Sequence, residues 1–337
     1  MAVAHILGYP RMGEKRELKF ALEAYWKGEA SAAELQASGR ELRAAHWGKQ
    51  KQAGLAFITA GDFSNYDHVL DHAVLFGAIP RRFDLRAVMN ETDYFALARG
   101  NSGQVALEMT KWFDTNYHYL VPELDADTAF SLNAHDLLTQ LDEAQQAGNA
   151  VKPVLLGPVS FLYLSKAAAG FDRLDLLDKL AAQYAHLLQE LRHRGIEWVQ
   201  IDEPIFALDL DDAWLDAFDR AYAWFRTARP KLRLTTYFPT VARYHADITR
   251  LPVDGVHLDL VRAPEQLGPW VNAIPGHWVL SAGIVDGRNV WRNDLDQSLA
   301  LLRPWAHRLG ERLWLAPSCS GARTRSRCTP STGRRVM

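Results

Sequence analysis

Apolar residues along the chain follow two alternating patterns. Short, nearly continuous apolar runs close on Gly, Pro, Asp or Ser, and between them lie longer stretches whose apolar positions recur every three or four residues. Eight runs have the first character: "HILGYP" (5–10), "AFITAGDF" (56–63), "KPVLLGPV" (152–159), "EWVQIDEP" (197–204), "LRLTTYFP" (232–239), "GVHLDLV" (255–261), "WVLSAGIV" (278–285) and "RLWLAPSCS" (312–320). The second character belongs to 16–27, 32–53, 134–147, 173–194, 212–227 and 295–308. In the fourth of these, Leu174, Leu177, Leu180, Ala181, Tyr184, Leu187, Leu188 and Leu191 line one helical face. Strand and helix alternating in this way predict an α/β fold, a (βα)8 TIM barrel, over residues 1–320. Residues 65–124 break the rhythm and read as an insertion after the second strand, with an extra hairpin around "YHYLVPEL" (117–124). There is no short-period repeat and no low-complexity linker.

Composition narrows the class. Of 337 residues 48% are hydrophobic and 23% charged, and no apolar run approaches the ~20 residues of a membrane helix. The two cysteines, Cys319 and Cys328, offer no disulfide framework, and no signal segment leads the sequence, so a cytoplasmic location is expected. Five of the 38 bases fall in 321–337, which leaves 33 bases against 40 acids before it. That balance gives no electrostatic footprint for nucleic acid, and no membrane partner is expected. The 321–337 stretch has no apolar periodicity and is expected to be a disordered tail.

In a barrel, the loops after the strands build the site. The residues there are Tyr9, Asp62, Gly157-Pro158, Asp202-Glu203, Tyr237, Asp259 and Cys319. Asp202 and Glu203 are adjacent, so their side chains face opposite sides of a strand and cannot act as a paired acid and base. One of them serving a site, and both bonding loop amides, remain open readings. His68 and His72 are spaced for one helical face, as in some zinc sites, but no third ligand stands nearby and a packed or solvated face is the plainer reading. "GPVSFLYLSK" lacks the spaced glycines of a phosphate loop. Lys111, among aromatics in "EMTKWFDTNYHY", is either a snorkelling stem or an anion contact. Lys15, Arg16 and Lys19 cluster at the mouth of the first helix, where a solvated basic face and a polyanion site both fit.

Several stretches together resemble the amino-terminal half of cobalamin-independent methionine synthase, in order, from about residue 5 to Ser320. They include "LGYPRMGEKRELKFALEAYWKG", "GRELRAAHWGKQKQAG", "GDFSNYDHVLDHAVLFG", "EMTKWFDTNYHYLVPE", "VKPVLLGPVSFLYLSK", "RGIEWVQIDEP", "LSAGIVDGRNVWRNDL" and "LWLAPSCS". The resemblance implies a methyltransferase of methionine biosynthesis that moves the methyl group of 5-methyltetrahydropteroyltriglutamate to homocysteine. It implies two facing (βα)8 barrels, with folate held between them. Homocysteine, zinc and the proton-donating histidine would belong to the carboxyl-terminal barrel. It further implies that Arg16, Glu17, Leu18 and Lys19 ("RELK") form the folate-polyglutamate site and that Lys111 is a separate folate contact. Glu17 is the odd member, expected to turn outward or to cap amides.

The departures carry their own expectations. No catalytic residue and no metal ligand is assigned to this chain. At the places matching the zinc ligands stand Thr and Tyr of "TTYF", Asp259 and Cys319, which leaves a tetrahedral zinc site incomplete. After "SCS" the family continues Leu-Leu-His and, past a gap, Pro-Val-Asp-Leu. A one-base shift across Cys328 to Thr332 would read Leu-His-Pro-Val-Asp, so a frameshift just after Ser320 is expected, with the last barrel helix missing. Two readings follow: half of a methyltransferase that works with a separate zinc barrel, or a non-catalytic folate-polyglutamate-binding relic. An unrelated barrel chemistry through Asp202 or Glu203 is the third.

Overall fold

The structure, a computed structural model, describes residues 2–85, 89–238 and 240–321. Eight strands form one parallel sheet: β1 (Val3–Ala4), β2 (Ile58–Ala60), β3 (Val151–Leu156), β4 (Trp198–Asp202), β5 (Lys231–Thr235), β6 (Gly255–Asp259), β7 (Val279–Val285) and β8 (Leu313–Pro317). Their order is β1-β8-β7-β6-β5-β4-β3-β2, with Val3 level with Trp314 and Asp202 level with Thr235. The sheet curls until its ends meet, where the amide of Ala56 donates to the Ala4 carbonyl at 3.0 Å. This is the expected α/β barrel.

Eleven α-helices accompany the strands among the described residues: α1 (Glu17–Trp26), α2 (Ala32–Gln52), α3 (His68–Leu75), α4 (Glu91–Arg99), α5 (His135–Gln146), α6 (Pro158–Leu164), α7 (Leu177–His193), α8 (Asp212–Ala223), α9 (His245–Arg250), α10 (Leu267–Ala273) and α11 (Leu295–Leu309). Capping fixes several starts. The Ser31 hydroxyl and Glu34 carboxylate form a capping box at α2, and Asp67 accepts the amides of Val69 and Leu70 at α3. On α7 the predicted leucine face, from Leu177 to Leu191, is buried against the barrel.

Two expectations are corrected. The first strand is not at 5–10 but at Val3–Ala4. His5 still donates its amide to Leu315 at 3.0 Å, but the Tyr9 amide turns to the Asp62 carboxylate at 2.7 Å, so the chain leaves the ladder and crosses the barrel mouth. The hairpin expected around 117–124 pairs Met109–Lys111 with His118–Leu120 instead, and Glu123–Leu124 runs parallel to Lys166–Ala167. Short helices α3 and α4 fill the rest of the insertion. The expected tail and the missing last helix fall on residues 322–337, outside the described residues.

Inside the barrel the layers differ in character. Near the strand starts Trp198, Val279 and Trp314 form an apolar plug with Val3 and Phe57. Above it His5, Lys152, Gln200, Arg233, His257 and Ser281, from six strands or strand ends, are buried and mutually bonded. Lys152 Nζ donates to Gln200 at 2.6 Å and to the Ile6 carbonyl at 2.7 Å, and Gln200 Nε2 donates to the Leu7 carbonyl at 2.9 Å.

Close strand packing gives a test. A Cβ on Gly255 would lie 2.6 Å from the Val279 carbonyl oxygen, which belongs to the paired strand and cannot step aside. Gly255→Ala is expected to destabilise by about 2–4 kcal/mol through overpacking. Gly39, inside α2 with nothing nearer than 3.5 Å, should behave oppositely. Gly39→Ala is expected to stabilise by roughly 0.5–1 kcal/mol. Urea unfolding midpoints of the two variants check both signs.

Candidate functional site

The loop leaving β1 is pinned at several points before it delivers α1. Tyr9 stacks on His46 of α2 with ring centroids 4.5 Å apart, Glu14 pairs with Lys49, and Arg11 bonds the Ser64 carbonyl at 2.6 Å. Gly13 has φ 78°, and a Cβ there would fall 2.1 Å from the Glu17 carboxylate. Arg16 then adopts the left-handed conformation (φ 65°) as the residue before α1 and contributes no side-chain cap. Its guanidinium and the Lys15 ammonium are exposed and have no ion-pair partner among the described residues.

The four residues of "RELK" divide by role. Leu18 is fully buried, packed with Leu22, Leu35, Leu42 and Phe95, so its side chain anchors α1 and only its backbone faces outward chemistry. Glu17 accepts the Lys15 amide at 3.0 Å, which holds the turn. Lys19 is exposed and leans on Glu23 at 3.5 Å, one turn on. Arg16, Lys15 and Lys19 thus present cationic heads at the start of a ten-residue helix, at the end of the barrel where ligands bind in this fold. Lys111 is exposed on the hairpin, opposite His118.

The strand-end residues singled out by sequence are mostly internal. Asp62 accepts from Tyr9 N and from Thr59 Oγ1 at 2.6 Å, and burial raises its pKa. Asp202 accepts from Gln200 at 2.8 Å and from the Tyr237 hydroxyl at 2.9 Å, inside the barrel. Glu203 points the other way and takes the amides of Val159 and Ser160 and the Tyr222 hydroxyl. The pair therefore faces opposite sides, and Glu203 caps α6. His72 donates from Nδ1 to the His68 carbonyl at 2.8 Å and accepts the Leu156 amide on Nε2 at 2.8 Å, which fixes a neutral ring in a packed helix face. Sequence reasoning missed His46 and the Glu14–Lys49 pair: His46 and Lys49 lie in α2 and Glu14 in the loop before α1, with no local signal linking them.

The residues matching the family's zinc positions do not fit a metal. Thr235 and Thr236 supply no strong ligand. Burial pushes the Cys319 thiol up to about 12, with Asp259 adding to it, and burial raises Asp259 to about 6. No group of three His, Cys, Asp or Glu side chains is placed to hold a metal among the described residues. No helix there is long and apolar enough to cross a membrane.

Residues 3–310 match the family described as the N-terminal domain of cobalamin-independent synthase. The chain is 53% identical over 322 residues to the 5-methyltetrahydropteroyltriglutamate–homocysteine methyltransferase of Paraburkholderia xenovorans, covering 95% of this chain and 42% of that protein. The protein of that name from Burkholderia thailandensis is 54% identical over 326 residues, with the same coverages. The chain thus spans about two-fifths of the length of these curated relatives. Among solved structures, a putative vitamin-B12-independent methionine synthase from Listeria monocytogenes superposes with TM-score 0.64 at 15% identity, over 96% of this chain and 93% of that one. A B12-independent methionine synthase from Shewanella sp. W3-18-1 gives 0.61 at 15% identity, over 88% and 84%. At that identity the two structures support the fold.

Glu203 offers a test of the site's electrostatics. Burial raises its pKa to about 7, and the amides of Ser160 and Val159 and the Tyr222 hydroxyl pull it back only partly. A carboxyl raised in the folded state stabilises the protein most when protonated, below its unfolded pKa, and that contribution is lost as pH rises through the folded value. Glu203→Gln removes the titration. Relative to this variant the wild type is expected to lose stability between pH 4.5 and 7 and then level off, as read from urea midpoints across that range.

Proposed function

The chain belongs to the cobalamin-independent methionine synthase family, as its amino-terminal domain, and on that premise we propose that it binds the polyglutamate tail of 5-methyltetrahydropteroyltriglutamate for methyl transfer to homocysteine in methionine biosynthesis. The relatives bear the name of that activity, and its extension to this chain is our reading. The observation that carries it is the exposed cationic start of α1, with Lys15, Arg16 and Lys19 around a helix terminus and Leu18 anchoring the turn.

A triglutamate tail carries several carboxylates, and ammonium and guanidinium groups at a helix amino terminus form charge-assisted hydrogen bonds with them. In this reading Arg16 and Lys19 grip the tail, and Lys19 exchanges its loose contact with Glu23 for a ligand carboxylate. Glu17 keeps the turn in shape, Leu18 offers backbone only, and Lys111 meets the folate from the hairpin. The residues at the matching positions, Thr235, Thr236, Asp259 and Cys319, do not make a metal site for the sulfur chemistry. Homocysteine activation then requires a separate zinc-bearing carboxyl-terminal barrel as partner.

An exposed lysine–carboxylate contact is worth about 1 kcal/mol, or roughly fivefold in affinity. Lys19→Ala is therefore expected to weaken pteroyltriglutamate binding about fivefold while leaving pteroylmonoglutamate binding unchanged, by isothermal titration calorimetry at low salt. A Lys19→Ala protein with full triglutamate affinity would remove the α1 site. Methyl transfer to homocysteine is expected only when the chain is mixed with the zinc-bearing barrel of a relative. Folate binding without turnover in that mixture would instead favour the relic reading.

A further inference from the structure

Three strand-end loops and the hairpin meet at a point the polyglutamate reading does not use. Arg262 lies three residues past β6 and Arg288 three residues past β7, and both guanidiniums lie over the ring of Phe238, beyond β5, at 5.4 and 4.8 Å from its centroid. Between them sits the carboxylate of Asp114, from the turn of the hairpin. Arg262 Nη1 donates to its Oδ2 at 3.1 Å, Arg288 Nη1 to Oδ1 and Oδ2 at 3.1 and 3.2 Å, and Arg288 Nη2 to the Asp114 carbonyl at 3.3 Å.

The two halves of this contact are built differently. The backbones that carry the two arginines are held without Asp114, and Phe238 gives both guanidiniums a second contact. The Arg262 amide is held by Asp259 Oδ1 at 3.0 Å, the Arg288 amide by Asp286 Oδ1 at 2.8 Å, and Phe238 is buried beneath both. Two cations on one aromatic platform are a ready receptor for one carboxylate. Asp114 is less firmly placed. It is more than half exposed, and the preceding Phe113 sits at φ 50°, a left-handed conformation that is strained for a bulky residue. Ion pairs at an exposed carboxylate return little in water. Strain therefore opposes a weak attraction, and the latch opens at little cost.

We infer that Arg262 and Arg288 on Phe238 form a carboxylate-binding site at the barrel mouth, that Asp114 occupies it as an internal substitute, and that a carboxylate ligand displaces Asp114 and releases the hairpin. Because Lys111 lies three residues before Asp114, release also repositions that lysine. The arginines hold Asp114 below the usual carboxylate range despite the opposing effect of partial burial, so the occupant is ionised at neutral pH.

The test uses the full chain in a Lys19→Ala background, which weakens binding at α1 and leaves whatever remains of it the same in every protein compared, so that differences between variants report the mouth site alone. The probe is triglutamate peptide without a pterin, at low ionic strength. Asp114→Asn, nearly isosteric and leaving both arginines in place, is expected to bind it about tenfold more tightly than the parent. Adding Arg288→Ala should abolish the gain, and Arg288→Lys should restore part of it. In the parent, triglutamate should speed hydrogen exchange of residues 109–120, whereas triglycine should not. An Asp114→Asn protein that binds triglutamate no better than the parent, or hairpin exchange that ignores the peptide, overturns the inference.

Discussion

Two cations buried inside the barrel constrain the rest of the structure. Lys152 and Arg233 are fully enclosed, and removing such charges from water costs several kcal/mol each unless every head group is bonded. Burial, reinforced by the other's charge for Lys152, pushes Lys152 well below the usual lysine range and Arg233 to about 9. Gln200 accepts from both, His5 takes Arg233, and Asp202 supplies the nearby negative charge. Burial and the neighbouring cations lower His5 and His257, which keeps those rings neutral, and the Ser281 hydroxyl bridges them. A one-residue slip of β3 or β5 would turn its cation toward the helices and strand the remaining groups, so the network fixes register around the ring.

The same network places the candidate site. β1 is only two residues long, too short to hold itself in a sheet by backbone bonds alone. The segment beyond it is gripped from inside the barrel. Lys152 holds the Ile6 carbonyl, Gln200 holds the Leu7 carbonyl, and Asp62 holds the Tyr9 amide. This segment leads into the loop that ends at Arg16. The cationic start of α1 is thus connected, through three main-chain contacts, to the barrel's buried polar groups rather than to the sheet.

How far this was legible depended on period and separation. Seven strands and six helices fell where apolar periodicity put them, since α7 and the runs at 152–159 and 255–261 carry long or continuous patterns. Helices of six to nine residues, such as α9, α10 and α4, span too few turns to show a period and went unread. The polar interior was visible in principle: Lys152, Gln200, Arg233 and His257 each interrupt an otherwise apolar run at an inward position. At the candidate site, the basic residues of 15–19 were legible as a cluster, but only the family resemblance favoured a ligand site over a solvated face. That Leu18 is the anchor needed the packing. The meeting of Asp114 with Arg288, 174 positions away, has no local signal at all.

Cations in this protein therefore come in two energetic kinds. Those inside the barrel are shared among several acceptors, and taking away any one acceptor leaves a buried charge exposed to a low dielectric, a loss of several kcal/mol. Those at the mouth lean on one carboxylate, share one, or have no ion-pair partner among the described residues: Lys19 on Glu23, Arg262 and Arg288 on Asp114, Lys15 and Arg16 on none. Such contacts are worth little in water and are screened at physiological salt. The arrangement leaves the scaffold's charges fixed while the mouth's charges exchange partners at low cost, which is what a site for a mobile, many-carboxylate ligand needs. Geometry is held by the first kind, and on the proposed function binding falls to the second.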